Sequence, residues 1–175
     1  MTSPLRCIGI DPGTLRLGWG IIDLKGTALV HVAHGVVRMK DGAPLGERLV
    51  VLEKALVDIV AQHQPTVSSV ESIFFAKDAS ATVKLGHARG VAMLVCVRAG
   101  MEMFEYPPAR VKRTIAGSGK ADKAQVARMM MAYLRLVAAP PADAADALAV
   151  SATHLQSTPF RALAESSGAV VRRIG

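Results

Sequence analysis

The chain has 175 residues, enough for one domain with a proper core, and its composition of 51% hydrophobic and 20% charged residues excludes a disordered polypeptide. No stretch approaches the roughly 20 consecutive apolar residues that span a bilayer, and the N-terminus lacks the apolar core of a signal peptide. The formal charge of +7 is uneven: residues 1–106 hold 11 Lys/Arg against 10 Asp/Glu, and residues 107–175 hold 10 against 4. A basic C-terminal region of this kind points to a polyanionic partner, most commonly nucleic acid.

The spacing predicts a buried strand over 5–11, a second over 17–24 after the Asp11-Pro12-Gly13-Thr14 turn, and a third over 28–38. These three read as an antiparallel meander, with Gly18 and Gly20 where a larger side chain would block close backbone approach. Leu45, Leu49, Leu52, Leu56, Ile59 and Val60 recur at helical spacing over 44–63, and Pro65 stops that helix by Gln64. A fourth strand covers 66–71, a loop 72–78, and a long helix 79–99 runs through Val83, Ala88, Val91, Ala92 and Val95 to Gly100. A fifth strand follows at 101–106, then helices near 108–116, 121–135 and 141–155. The expected fold class is α/β: one five-stranded mixed sheet flanked by helices, in a single domain over 1–155. Residues 156–175 carry polar breakers and Arg172-Arg173, and read as a loosely ordered tail. Cys7 and Cys96 sit in apolar segments as small hydrophobes, so no disulfide is needed and a reducing cytoplasm fits.

Four carboxylates stand in settings that suit ligands. Asp11 ends the apolar run Cys7-Ile8-Gly9-Ile10, and Glu71 ends Val67-Ser68-Ser69-Val70. Asp143 and Asp146 lie three apart, on one face of a helix. Each alone has an ordinary explanation: a turn, a strand-end charge, a helix N-terminus that favours acids. Together, two strand ends and one helix turn would gather four anions that repel unless a multivalent cation sits among them. All-oxygen ligation suits Mg²⁺, with Mn²⁺ as a substitute, and paired ions of that kind drive in-line phosphoryl displacement. The sequence therefore points to a metal-dependent nuclease.

Gly9-Ile10-Asp11-Pro12-Gly13-Thr14, Val70-Glu71-Ser72-Ile73-Phe74, Lys84-Leu85-Gly86-His87-Ala88-Arg89-Gly90-Val91-Ala92 and Ala142-Asp143-Ala144-Ala145-Asp146-Ala147-Leu148-Ala149 together resemble the RuvC family of bacterial Holliday-junction resolvases. The resemblance runs in order from about residue 6 to 155. It implies an RNase H-like fold, a homodimer, and Mg²⁺-dependent symmetric nicking of four-way DNA junctions in recombination and repair. It also implies a bacterial cytoplasmic setting and branch-migration partners of the RuvA and RuvB type. Asp11, Glu71, Asp143 and Asp146 fall on the family's four acidic positions, each site holding two ions. Some relatives carry histidine where Asp143 stands; here the all-acid version applies.

Lys112 and Lys123 match family lysines near the active site, where an ammonium could neutralise the scissile phosphate or position the backbone. Arg110, Arg113, Lys120 and Arg128 read as further backbone contacts, and Lys77, Lys84 and Arg89 as an extension of the same track, with Arg89 equally readable as a solvated or interface residue. Phe74 and Phe75, two of only seven aromatics, follow Glu71 in a loop. One of them packing on the sheet is the plain reading; the other is a wedge that stacks on unpaired bases, and the resemblance favours it for Phe74. His87 carries no chemistry in this reading. Gly86 and Gly90 on the same helix suggest close approach of another backbone, from the sheet or from a second subunit. Two other functions share some of these features. A Gly-Ile-Asp-x-Gly-Thr motif also opens phosphotransfer domains of the actin-like ATPases and sugar kinases, which need two such domains. A non-catalytic junction-binding protein would gain nothing from anions beside phosphate.

Overall fold

The structure, a computed structural model, describes residues 5–72 and 79–166. Ten elements follow in order: β1 (Leu5–Asp11), β2 (Arg16–Lys25), β3 (Ala28–Arg38), α1 (Leu45–His63), β4 (Val67–Glu71), α2 (Ala79–Arg98), β5 (Glu102–Tyr106), α3 (Pro108–Ala116), α4 (Lys123–Leu134) and α5 (Ala142–Ser166). The five strands form one mixed sheet in the order β3-β2-β1-β4-β5. β1, β2 and β3 pair antiparallel, as the meander reading expects, while β4 and β5 add in parallel beside β1. Parallel neighbours need crossovers, and α1 and α2 supply them.

Each sheet face has its own core. Ile8, Ile10, Leu17 and Ile21 pack with Leu52 and Leu56 of α1 and with Ala88, Ala92, Val95 and Cys96 of α2. The opposite face joins Cys7, Ile22 and Val67 to Val111 and Ile115 of α3, Val126 and Met130 of α4, and Leu148, Ala152 and Leu155 of α5. Cys7 and Cys96 are both free and buried, as their apolar settings imply.

Local chemistry sets the helix ends. Gln64 adopts a left-handed conformation (φ 49°) that closes α1 just before Pro65, its N–H donating to the Val60 carbonyl. Gly117 (φ 74°) closes α3 in the same way. Asp122 and Gln125 form a capping box, so α4 starts at Lys123 and not at 121.

The largest departure from the sequence reading is α5, which continues to Ser166 where an end near 155 was expected. Residues 156–166, which include polar Gln156 and Ser157, continue the helix. Ser157 Oγ donates to the Thr153 carbonyl at 2.8 Å, a hydroxyl turned back onto its own helix, as Thr153 Oγ1 already is onto the Ala149 carbonyl within the expected helix.

Close packing of α5 depends on three glycines. A Cβ on Gly9 would overlap the Ala147 carbonyl, one on Gly18 the Asp143 carbonyl, and one on Gly20 the Leu148 side chain. Gly18 and Gly20 thus do what their place in the sequence suggested, and Gly9 joins them. Ser151 Oγ fastens the contact by donating to the Cys7 carbonyl at 3.0 Å.

Candidate active site

Alternation along the strands aims two carboxylates at the same helix. Cys7 faces α5, so Gly9 and Asp11 do too. On β4, Ser69 touches Cys7 across the pair (Oγ···Sγ 3.4 Å), which places Val67, Ser69 and Glu71 on that face as well. β1 and β4 are parallel, and Ile10 pairs with Val70, so Asp11 and Glu71 end adjacent strands one residue further on. The first turn of α5 is pressed against Gly18, the residue paired with Asp11, and it brings Asp143 and Asp146 to the same corner.

Electrostatics show that the four acids form one group. Burial, and then the charges of Asp146, Glu71 and Asp143, push the Asp11 carboxyl up to about 7, with Lys123 opposing. Burial and Asp146 raise Glu71, while Lys123 and Lys112 pull it down. The Lys123 ammonium donates to Asp146 Oδ2 at 2.8 Å, and that bond raises its own pKa. Lys123 is otherwise exposed, its side chain at 81% of full accessibility, so it reaches the acids from solvent. A cleft lined by Glu71, Lys112, Lys123 and Asp146, with Val111, Val126 and Ala149 as its apolar wall, opens beside the cluster.

Among the described residues, no three acids, histidines or cysteines already converge on one point as a finished metal cage. The set still fits a hard divalent ion. Its donors are all carboxylate oxygens, and Asp11 is raised by burial first and then by the three neighbouring carboxylates, which Lys123 only partly opposes.

A family model described as crossover junction endodeoxyribonuclease RuvC matches residues 7–154. This chain belongs to the RuvC family. A relative from Sorangium cellulosum, named crossover junction endodeoxyribonuclease RuvC, is 52% identical over 169 residues, covering 97% of this chain and 94% of its own length. One of the same name from Afipia carboxidovorans is 47% identical, covering 88% and 90%. The solved structure of Thermus thermophilus RuvC in complex with a Holliday junction substrate superposes with a TM-score of 0.85 at 31% identity, covering 90% of this chain and 96% of that one. The yeast mitochondrial resolvase Ydc2, at 12% identity and a TM-score of 0.68, shares the fold. The sheet and its helices are therefore the RNase H-like fold of RuvC, and the chain is an endonuclease of a metal-dependent family.

The remaining candidate residues divide. Lys112 is half-buried on α3 in the cleft, and Lys123 is at the start of α4. Arg113 and Lys120 are exposed nearby, and Lys84 is exposed on α2. Arg110 is exposed with its guanidinium 5.3 Å from the centre of the Tyr106 ring, and it donates to Ser157 Oγ at 3.3 Å. Arg89 does not extend the basic track, because it forms an ion pair with Glu105 of β5. Phe74, Phe75 and Lys77 lie outside the described residues. Sequence reading passed over Tyr106 and His154, whose buried Oη···Nδ1 contact of 2.9 Å ties the end of β5 to α5. Tyr106 is the strand partner of Glu71, so the tie bears on where that carboxylate stands. The available signal was a histidine on the apolar stripe of α5.

On α2, Ala92 and Val95 pack into the chain's own core, while Val83, Leu94 and Val97 are 58%, 46% and 58% exposed. A Cβ on Gly86 or Gly90 would meet only open space. His87 is exposed, its Nδ1 2.8 Å from the Val83 carbonyl.

Proposed function

We propose that this chain is a structure-selective endonuclease that resolves Holliday junctions by symmetric phosphodiester hydrolysis in homologous recombination and DNA repair. The observation that carries the reading is the coupling of Asp11, Glu71 and Asp146, with Asp143 beside them, at one corner of an RNase H-like sheet. The four carboxylates would hold two Mg²⁺ ions, with Mn²⁺ able to substitute. Such ions supply an activated water and neutralise charge on the leaving 3′-oxygen, leaving 5′-phosphate and 3′-hydroxyl ends.

The chain's own groups do the rest. Asp11 and Glu71 stand on strand ends and Asp143 and Asp146 on the pinned first turn of α5, so the backbone that carries the donors is fixed in place. Lys123, tethered only through its tip, exchanges Asp146 for a phosphate oxygen when DNA arrives. Lys112 stands by Glu71 and offers a second ammonium to the scissile phosphate. Arg110, Arg113, Lys120, Lys84 and Lys77 contact the backbone along the arms, and Phe74, with Phe75, stacks on bases opened at the crossover.

A four-way junction offers two equivalent strands, so paired nicks call for a two-fold dimer. The exposed face of α2 carries Val83, Leu94 and Val97 at helical intervals, with Gly86, Gly90 and the His87 imidazole between them, which supports a homodimer there. Residues 1–155 are read as the nuclease domain and 156–175 as an addition to it. Unpaired buried cysteines support a bacterial cytoplasmic setting, with a branch-migration motor of the RuvA and RuvB type as partner. The reading is tested by incubating the purified protein with a synthetic four-way junction and each divalent metal in turn. Paired symmetric nicks in Mg²⁺, absent without metal, support it; metal-independent or random cutting rejects it.

A further inference from the structure

Arg16 and Arg38 face each other directly across the β2–β3 pair. Like charges placed opposite on neighbouring strands are destabilising, so the fold gains nothing from this arrangement. Both side chains are exposed, neither forms an ion pair among the described residues, and exposed Lys40 follows two positions later. Their direction is fixed by the register. Arg16 lies two residues before Gly18 on β2 and therefore shares its face, the one on which the Asp143 carbonyl sits. Gly18 pairs with Asp11, so Arg16 stands two strand positions, about 7 Å, beyond the acidic cluster. Lys112 and Lys123 belong to α3 and α4 and line the cleft with Glu71, on the β4 side of the acids. The arginines belong to the β2–β3 side.

We infer that Arg16 and Arg38 form a phosphate clamp for the DNA strand being cut, gripping its backbone on the side of the acids away from Lys112 and Lys123. Cations on both flanks hold a polyanion across a cluster of carboxylates that would otherwise repel it. A separation of about 7 Å keeps the clamp within a phosphate or two of the scissile position and not on a distant arm. A clamp on phosphate positions the strand without reading its sequence. The inference rests on the junction-cutting function proposed above.

The test uses the full-length protein and a four-way junction in Ca²⁺, with binding measured across a salt series. Arg16→Gln and Arg38→Gln should each make the dependence of log affinity on log salt shallower by roughly 1, and the double variant by roughly 2, equally for every junction sequence. Neither should lower Tm, since each relieves a like-charge contact. Lys54→Gln, an equal charge loss on exposed α1 across the sheet, should leave the slope unchanged. A double variant with the wild-type slope, or an equal loss for Lys54→Gln, overturns the clamp. Wild-type protein that neither binds nor nicks junctions overturns the proposed function instead.

A second measurement fixes the place. Cys7 and Cys96 are buried, with thiols pushed up to about 11 by that burial, so Arg16→Cys introduces the one reactive thiol among the described residues. Its thiolate should exchange with a mixed-disulfide tether on phosphates next to the cleavage site, forming the protein–DNA disulfide and releasing the tether's small thiol. Capture only from distant arms overturns the assignment.

Discussion

The two faces of the sheet are built differently. Toward α1 and α2 the strands present Ile8, Ile10, Leu17 and Ile21, and helix and sheet meet through ordinary aliphatic side chains. Toward α5 the strands present Gly9, Gly18 and Gly20 among their aliphatic side chains, and at Gly9 and Gly18 helix backbone lies directly on strand backbone. Aliphatic layers tolerate small shifts by repacking; backbone contact does not. All four candidate carboxylates belong to the glycine face. The comparison teaches that this protein places its rigid contact where charges must be held together and its adaptable contact where only cohesion is needed.

The largest effect is expected from the acids themselves. Asp11→Asn, Glu71→Gln, Asp143→Asn or Asp146→Asn should each lower junction cleavage by about 10²–10³-fold, comparable with loss of a main charge-stabilising group. Junction binding should hold or tighten, because an anion beside phosphate is gone. Near-normal nicking by any two of these variants, measured in single turnover, would break the link between the glycine face and chemistry.

Next come the glycines. Gly18→Ala must push α5 away from β2 and should destabilise by roughly 1–3 kcal/mol, the usual range for overpacking. Activity should fall further than stability alone explains, since Asp143 moves with the helix. Gly86→Leu on the outer surface of α2 meets open space and should leave the monomer folded. It should instead lower dimer mass in sedimentation at micromolar concentration. Equal thermal losses for Gly18→Ala and Gly86→Leu would erase the contrast between the faces.

A smaller effect concerns pH. Asp11 titrates near 7 in the folded protein without metal, against an ordinary 3.8. Between those values the folded state binds a proton that the unfolded state has released, so this group's contribution to stability falls as pH rises from about 4 to about 7. Divalent metal should restore that loss above pH 7, and its affinity should weaken as pH falls below 7, because proton and ion compete for Asp11. Asp11→Asn should flatten both trends. Metal affinity that is level from pH 5 to 8 would remove Asp11 from the site.

Much of this was legible in the sequence because its signals are local. Strand alternation, Pro65, the helical spacing of Leu52 and Leu56, and the Asp11 and Glu71 positions after apolar runs each follow from a few neighbouring residues. The end of α5 differs from the sequence reading because a hydroxyl such as that of Ser157 looks like a breaker until its i−4 bond is seen. The Tyr106–His154 tie and the Arg16–Arg38 opposition depend on register between segments far apart in the chain, which composition and spacing do not encode. The choice between DNA contact and another role for Arg89 was open for the same reason: its partner, Glu105, arrives only when β5 joins the sheet.

The central claim is that four acids gathered on the glycine face form the metal-dependent centre that cuts junction DNA. The most direct measurement compares wild type with Asp146→Asn on one labelled four-way junction, with cleavage in Mg²⁺ and binding in Ca²⁺. The account predicts symmetric nicks by the wild type, cleavage about 10²–10³-fold slower for the variant, and equal or tighter binding. Equal cleavage by both proteins, or nicking by either without divalent metal, would contradict it.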